Sequence, residues 1–226
     1  MNKKLIALVS AAALSVAGST SASAHISVLP GVSATGSSTQ ALTAGQSGTL
    51  FFRVGHGCAL DMNITNPATG TSLEGTKWAT STFSVDIPVL AQGTGTTLPK
   101  PQWIPGWKST VVKNATTGVY TVTWKSISKD FWIADGPAGD TGATQFADFG
   151  VSIKWAAAAA AQTVYFKSVQ TCLVSVPGVK ASKGKKAVAA RTIAIYNSWD
   201  VTDGSGADTV KDNTEHNTAP SVKVLG

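Results

Sequence analysis

Asp148-Phe149-Gly150-Val151-Ser152-Ile153 is the stretch on which the fold turns. Phe149, Val151 and Ile153 share one parity, and Asp148, Gly150 and Ser152 share the other. A period of two is the pattern of a strand with one apolar and one polar face. Asp148 therefore points away from the core face that its neighbours make. Comparable short runs recur at 26–29, 49–54, 82–87, 109–112, 119–125, 163–167, 171–176, 191–199 and 221–225, between Gly, Pro, Asn and Thr turn formers. No segment sustains a long 3.6-residue apolar period. The expected fold class is all-β: an immunoglobulin/fibronectin-like β-sandwich of about 8–10 strands with long loop insertions. The insertions fall near 61–81, 126–147 and 177–188, and the alanine tract 156–161 reads as a helical turn or a loose loop.

Composition points the same way. Charged residues are 13% of the chain, about half the share of an ordinary cytosolic domain. Hydrophobics at 43% are enough for a packed core and exclude wholesale disorder. Seven Trp must go to cores or binding faces. The net charge of +6 is local. Lys180, Lys183, Lys185, Lys186 and Arg191 cluster, and an acidic stretch runs from Asp200 to Glu215. With no nucleic-acid motif present, the basic cluster reads as a solvated hairpin loop and no nucleic-acid partner is expected.

The first residues read as an address. Lys3 and Lys4 make a basic start, 5–17 is apolar, and Ala22-Ser23-Ala24 is a small-residue cleavage site. The apolar run is too short to span a bilayer, and no later run reaches that length. The expected organisation is a signal peptide at 1–24 and one domain at 25–226. The protein is expected to be exported, periplasmic or extracellular, with no transmembrane segment after cleavage.

Cys58 and Cys172 are the only cysteines. In an oxidising compartment an even count argues for a disulfide. The competing reading is a thiolate metal site with His56, although no CxxC supports one.

Cleavage after Ala24 would make His25 the first residue. Its free α-amine and its ring Nδ1 can then close a chelate on one metal. Nitrogen donors of this kind suit Cu(II). The amine titrates near about 8 and the imidazole near about 6.5, so a metal can displace both protons near neutral pH.

Other blocks follow in order: His25-Ile-Ser-Val-Leu-Pro30, Phe51-Phe-Arg-Val-Gly-His-Gly-Cys58, Phe83-Ser-Val-Asp-Ile-Pro88, Pro105-Gly-Trp107, Val122-Thr-Trp124, Asp148-Phe149 and Gln170-Thr-Cys172. This order resembles the YcnI-like family of exported copper-binding proteins. The resemblance implies a β-sandwich that holds one Cu(II) per chain through a single-histidine brace. His25 would supply amine and imidazole, Asp148 the carboxylate, and Trp199 an indole near the metal. The family's acid looks like Glu, and Asp148 is one methylene shorter, so Asp140 is a second candidate. An indole N–H donates and does not ligate, so Trp199 would pack or exclude water. The implied function is copper delivery, storage or homeostasis without catalysis, with a copper-trafficking protein or copper acceptor as partner.

Two other readings compete. A histidine-brace copper monooxygenase needs a second His, for which only His56 and His216 are available. His56 reads more simply as a structural residue in a tight turn, and His216 as exposed beside Glu215. An adhesion or carbohydrate-binding sandwich would use Trp103 and Trp107 as an aromatic platform. No catalytic Ser/His/Asp set or phosphate loop is present.

Overall fold

The computed structural model describes residues 26–29, 42–58, 65–66, 69–73, 78–94, 97–134, 145–157, 160–184, 186–203, 209–211 and 214–226. His25 and Asp140 lie outside these residues. The strands are β1 (Ile26–Leu29), β2 (Leu42–Thr43), β3 (Ser47–Val54), β4 (Ala79–Ile87), β5 (Lys100–Pro101), β6 (Trp107–Lys113), β7 (Tyr120–Ser126), β8 (Ala147–Lys154), β9 (Gln162–Tyr165), β10 (Ser168–Val176), β11 (Arg191–Val201), β12 (Thr209–Lys211), β13 (Thr214–Thr218) and β14 (Ser221–Leu225). Two single 3-10 turns, Val89–Ala91 and Lys129–Phe131, are the only helical elements among the described residues.

These strands make a four-stranded sheet, β1-β3-β8-β5, a seven-stranded sheet, β12-β13-β11-β10-β4-β7-β6, and a three-stranded sheet, β2-β14-β9. The first two pack face to face as the sandwich the alternation calls for. Phe149, Val151 and Ile153 are buried on the inner face of β8, while Ser152 is exposed and Asp148 half-buried on the outer face. The Phe149 ring lies 5.2 Å from that of Trp107, 5.3 Å from Trp124 and 5.0 Å from Phe83, on β6, β7 and β4. Phe52 of β3 lies 6.3 Å from Phe83 and 5.5 Å from Phe166. Rings this close contribute beyond their area burial. The third sheet adds Val164, Val222 and Val224 to the same core.

A second, smaller core lies beyond one end of this one. It holds Cys58, Leu73, Trp78, Cys172, Val174, Val176 and Ile195. Leu73 and Trp78, which follow β3, thus pack with side chains of β10 and β11. Lys180, Lys183 and Lys186 fall on the β10–β11 connection and Arg191 opens β11; the connection is bridged at Val179 and Val188 and turns at Gly184 with φ of +79°. That is the hairpin loop the sequence indicated. No helix among the described residues is long and apolar enough to cross a membrane.

Candidate metal centre

Asp148 sits where its parity places it, on the outer face of the four-stranded sheet. Antiparallel pairing sets Asp148 opposite Arg53, and Arg53 opposite Ser27 of β1. Arg53 grips the carboxylate with both arms of its guanidinium. Nε donates to Oδ1 at 2.7 Å and Nη2 donates to Oδ2 at 2.8 Å. The exposed Phe146 ring lies 4.4 Å from the guanidinium carbon. Hydrogen bonding to Asp148 raises the Arg53 pKa above its ordinary value; desolvation opposes this, and the charge of Asp148 adds a smaller rise. A bidentate pair of this kind is a strong charge-assisted contact. It leaves both oxygens of Asp148 engaged, and a cation bound there would stand beside a fixed positive charge. The residue therefore fits a metal poorly unless Arg53 lets go.

Trp199 lies on the other side of the chemistry. It is buried in the main core, on the inner face of the seven-stranded sheet. Asp148 and Trp199 are not brought together: one faces outward from its sheet, the other is packed between the sheets.

Cys58 and Cys172 form the disulfide, across a sequence separation of 114 residues. Both thiols are consumed by it, so the Cys/His thiolate site has no thiolates to use. Beside the disulfide, His56 occupies a bend with its Nδ1 2.6 Å from the Gly57 carbonyl. The His56 carbonyl accepts from Gln170 Nε2 at 2.8 Å and from Thr80 Oγ1 at 3.4 Å. This is a turn histidine, tied down by its backbone.

His216 is half-buried rather than exposed, and its Nδ1 lies 3.0 Å from Asp200 Oδ1. Its neighbour Glu215 is buried, at 7% exposure. The sequence misplaces this segment because an acidic, turn-rich stretch gives no apolar alternation, yet it forms β13 inside the sheet. The proposed tryptophan platform is also split. Trp103 is 79% exposed, whereas Trp107 is buried at 8% against Phe149.

Among the described residues no group of three or more His, Cys, Asp or Glu is placed to hold a metal. Sequence reasoning missed Arg53 and the buried polar residues Gln170, Asn197, Glu215 and Asn217. Arg53 stands in the quoted Phe51-Phe-Arg-Val block, but its partner depends on strand register, which a single sequence does not supply.

No family model matches the chain, and no curated protein matches it. A solved structure of an uncharacterized protein from Nocardia farcinica, described as having an immunoglobulin-like fold, is similar at a TM-score of 0.44 and 17% identity, over 89% of this chain and 99% of that one.

Proposed function

We propose that this chain is an exported Cu(II)-binding protein that holds one ion through the amine and imidazole of a mature N-terminal His25. Its work is delivery, storage or buffering of copper, without turnover of a substrate. The observation that carries the reading is the anchoring of β1. Ile26, the residue joined to His25, is only 2% exposed and pairs with Val54. A chain cut after Ala24 would begin one residue before a strand fixed in the core, and a brace needs a terminus held still. The Cys58–Cys172 disulfide supports an oxidising compartment, as export requires. The separation of Trp103 from Trp107 weakens the platform reading. The monooxygenase reading needs a second histidine, and His56 is committed to a turn while His216 is paired with Asp200.

When bound, copper here would be held by nitrogen donors that must first lose their protons, so binding should weaken as pH falls through the range of the imidazole. The test is to express the full chain in an exporting bacterial host and recover the processed product. Intact mass should place the first residue at His25, and one equivalent of Cu(II) should remain after desalting. A first residue other than His25, or no retained copper, contradicts the reading.

A further inference from the structure

Strand β10 runs on past the end of β4. Their pairing stops at Ala79 opposite Leu173, while β10 continues beside β11 as far as Val176 opposite Arg191. The room left at this end of the sheet is a cavity of about 310 Å³. Its lining includes Lys129, Ser175, Pro177, Ala190, Arg191 and Thr192. Lys129 comes from the 3-10 turn Lys129–Phe131, which is anchored through Ile133, bonded at both its N–H and its carbonyl to Thr80 of β4. Pro177 and Ala190 come from the β10–β11 connection. The two legs of that connection press together at Gly178, where a Cβ would stand 2.8 Å from both Ala190 N and the Val188 carbonyl oxygen. The close approach fixes Ala190, and with it the start of β11 at Arg191.

The charged groups of this lining are both positive. Lys129 Nζ donates to Ser175 Oγ at 3.0 Å and lies 5.7 Å from the Trp132 ring, so the ammonium is positioned without being neutralised. The Arg191 guanidinium has no ion-pair partner among the described residues. The sequence has no Asp or Glu between Asp148 and Asp200. Asp130, beside Lys129, accepts from Ser128 Oγ at 3.2 Å within its own turn. Lys180, Lys183 and Lys186 are exposed along the connection that leads away from the cavity. Like charges gathered on one face repel one another, and a bound anion removes that cost.

An oxyanion suits these donors. Arg191 offers a planar fork of N–H groups and Lys129 a compact charge. Ser175 and Thr192 add hydroxyls, and because Ser175 Oγ accepts from Lys129 its own proton is left to donate. The lysines beyond the cavity match repeated charge along a polymer better than one free ion. Among polyanions, a single-stranded nucleic acid needs aromatic rings to stack its bases, and the lining has none. A lipid surface needs an apolar side chain to enter it, and the turn at Ser182-Lys183-Gly184 has none.

We propose that this cavity and the lysine-bearing connection beside it bind an anionic polysaccharide, with one sulfate or phosphate ester seated between Lys129 and Arg191. The lysines of the connection meet the next charges along the chain. The site shares no residue with the metal reading above and stands whether or not that reading holds. Attraction between exposed charges is screened by salt, so binding weakens as ionic strength rises.

The experiment titrates the full chain, by calorimetry at low salt, with heparin as a sulfated polysaccharide, and with dextran, inorganic sulfate and duplex DNA for comparison. Heparin should bind and uncharged dextran should not. Lys129→Gln and Arg191→Gln should each weaken heparin binding about tenfold, as expected on losing a charge-assisted hydrogen bond. Lys223→Gln removes an exposed lysine from β14, in the three-stranded sheet, and should change it less than about twofold. All three side chains are exposed, so the variants should fold, with far-ultraviolet circular dichroism as the control. No binding of heparin, or equal losses in all three variants, overturns the proposal, the second because net charge alone would then attract the polymer. Inorganic sulfate bound as tightly as heparin would make this a site for a free ion, and tighter binding of duplex DNA would make it a nucleic-acid surface; either result overturns it too.

Discussion

Asp148 and Asn197 show how differently one fold treats polar side chains. Asp148 is half-buried and doubly hydrogen-bonded, so its charge is met by Arg53 at little cost. Asn197 is fully buried with no partner for either amide atom. Each such group loses its water without replacement, which costs about 1–3 kcal/mol. Asn197→Leu, close to it in shape, should therefore raise the unfolding midpoint of the metal-free protein, at roughly 2–4 °C per kcal/mol for a domain of this size. Differential scanning calorimetry of the metal-free protein checks this. A midpoint several degrees lower would show that the amide is structural.

The elements were legible in the sequence wherever burial is apolar. All ten runs that alternate or carry β-rich residues form strands, with ends shifted by a few residues. Ser221–Leu225 and Ile26–Leu29 have the expected bounds. The four strands not foreseen have physical reasons. Leu42–Thr43 and Lys100–Pro101 are two residues each, too short to show a period. Thr214–Thr218 turns Glu215 and Asn217 inward, so its buried face is polar and reads as loop. Thr209–Lys211 pairs only with that strand in its sheet, and so disappears with it. The site was legible at Cys58 and Cys172, which leave a single intramolecular pairing. It was not legible at Arg53, Gln170 or Asn197, whose cross-strand neighbours exist only through register.

The disulfide is the element that closes the longest part of the chain. It ties the turn after β3 to the middle of β10, where Cys172 is fully buried. A closed loop of more than 100 residues gives about 4–5 kcal/mol in the chain-entropy description. Reduction should lower the urea midpoint by the equivalent of several kcal/mol and loosen the segment over Leu73 and Trp78 first. Alkylation of both thiols in urea, with and without reductant, reports the linkage directly. Equal midpoints for the oxidised and reduced forms would contradict that contribution.

At the scale of the molecule, the sandwich holds the start of β1 at the edge of the four-stranded sheet, with Ile26 paired to Val54 and buried in the main core. The main core supplies rigidity there through Phe52, Phe83, Phe149 and Trp199. The central claim is chemical: the N-terminal residue is itself the ligand, and its amine must be free. Placing a single Gly ahead of His25 turns that amine into an amide while leaving the imidazole in place. The most direct measurement is the Cu(II) affinity of the two proteins, by competition against a chelator of known affinity at fixed pH. The account predicts one tightly held Cu(II) for the chain that begins at His25, and affinity at least about tenfold weaker for the Gly-extended chain, as expected on losing a ligand. Equal affinity for the two would show that the amine is not a ligand and would contradict the brace.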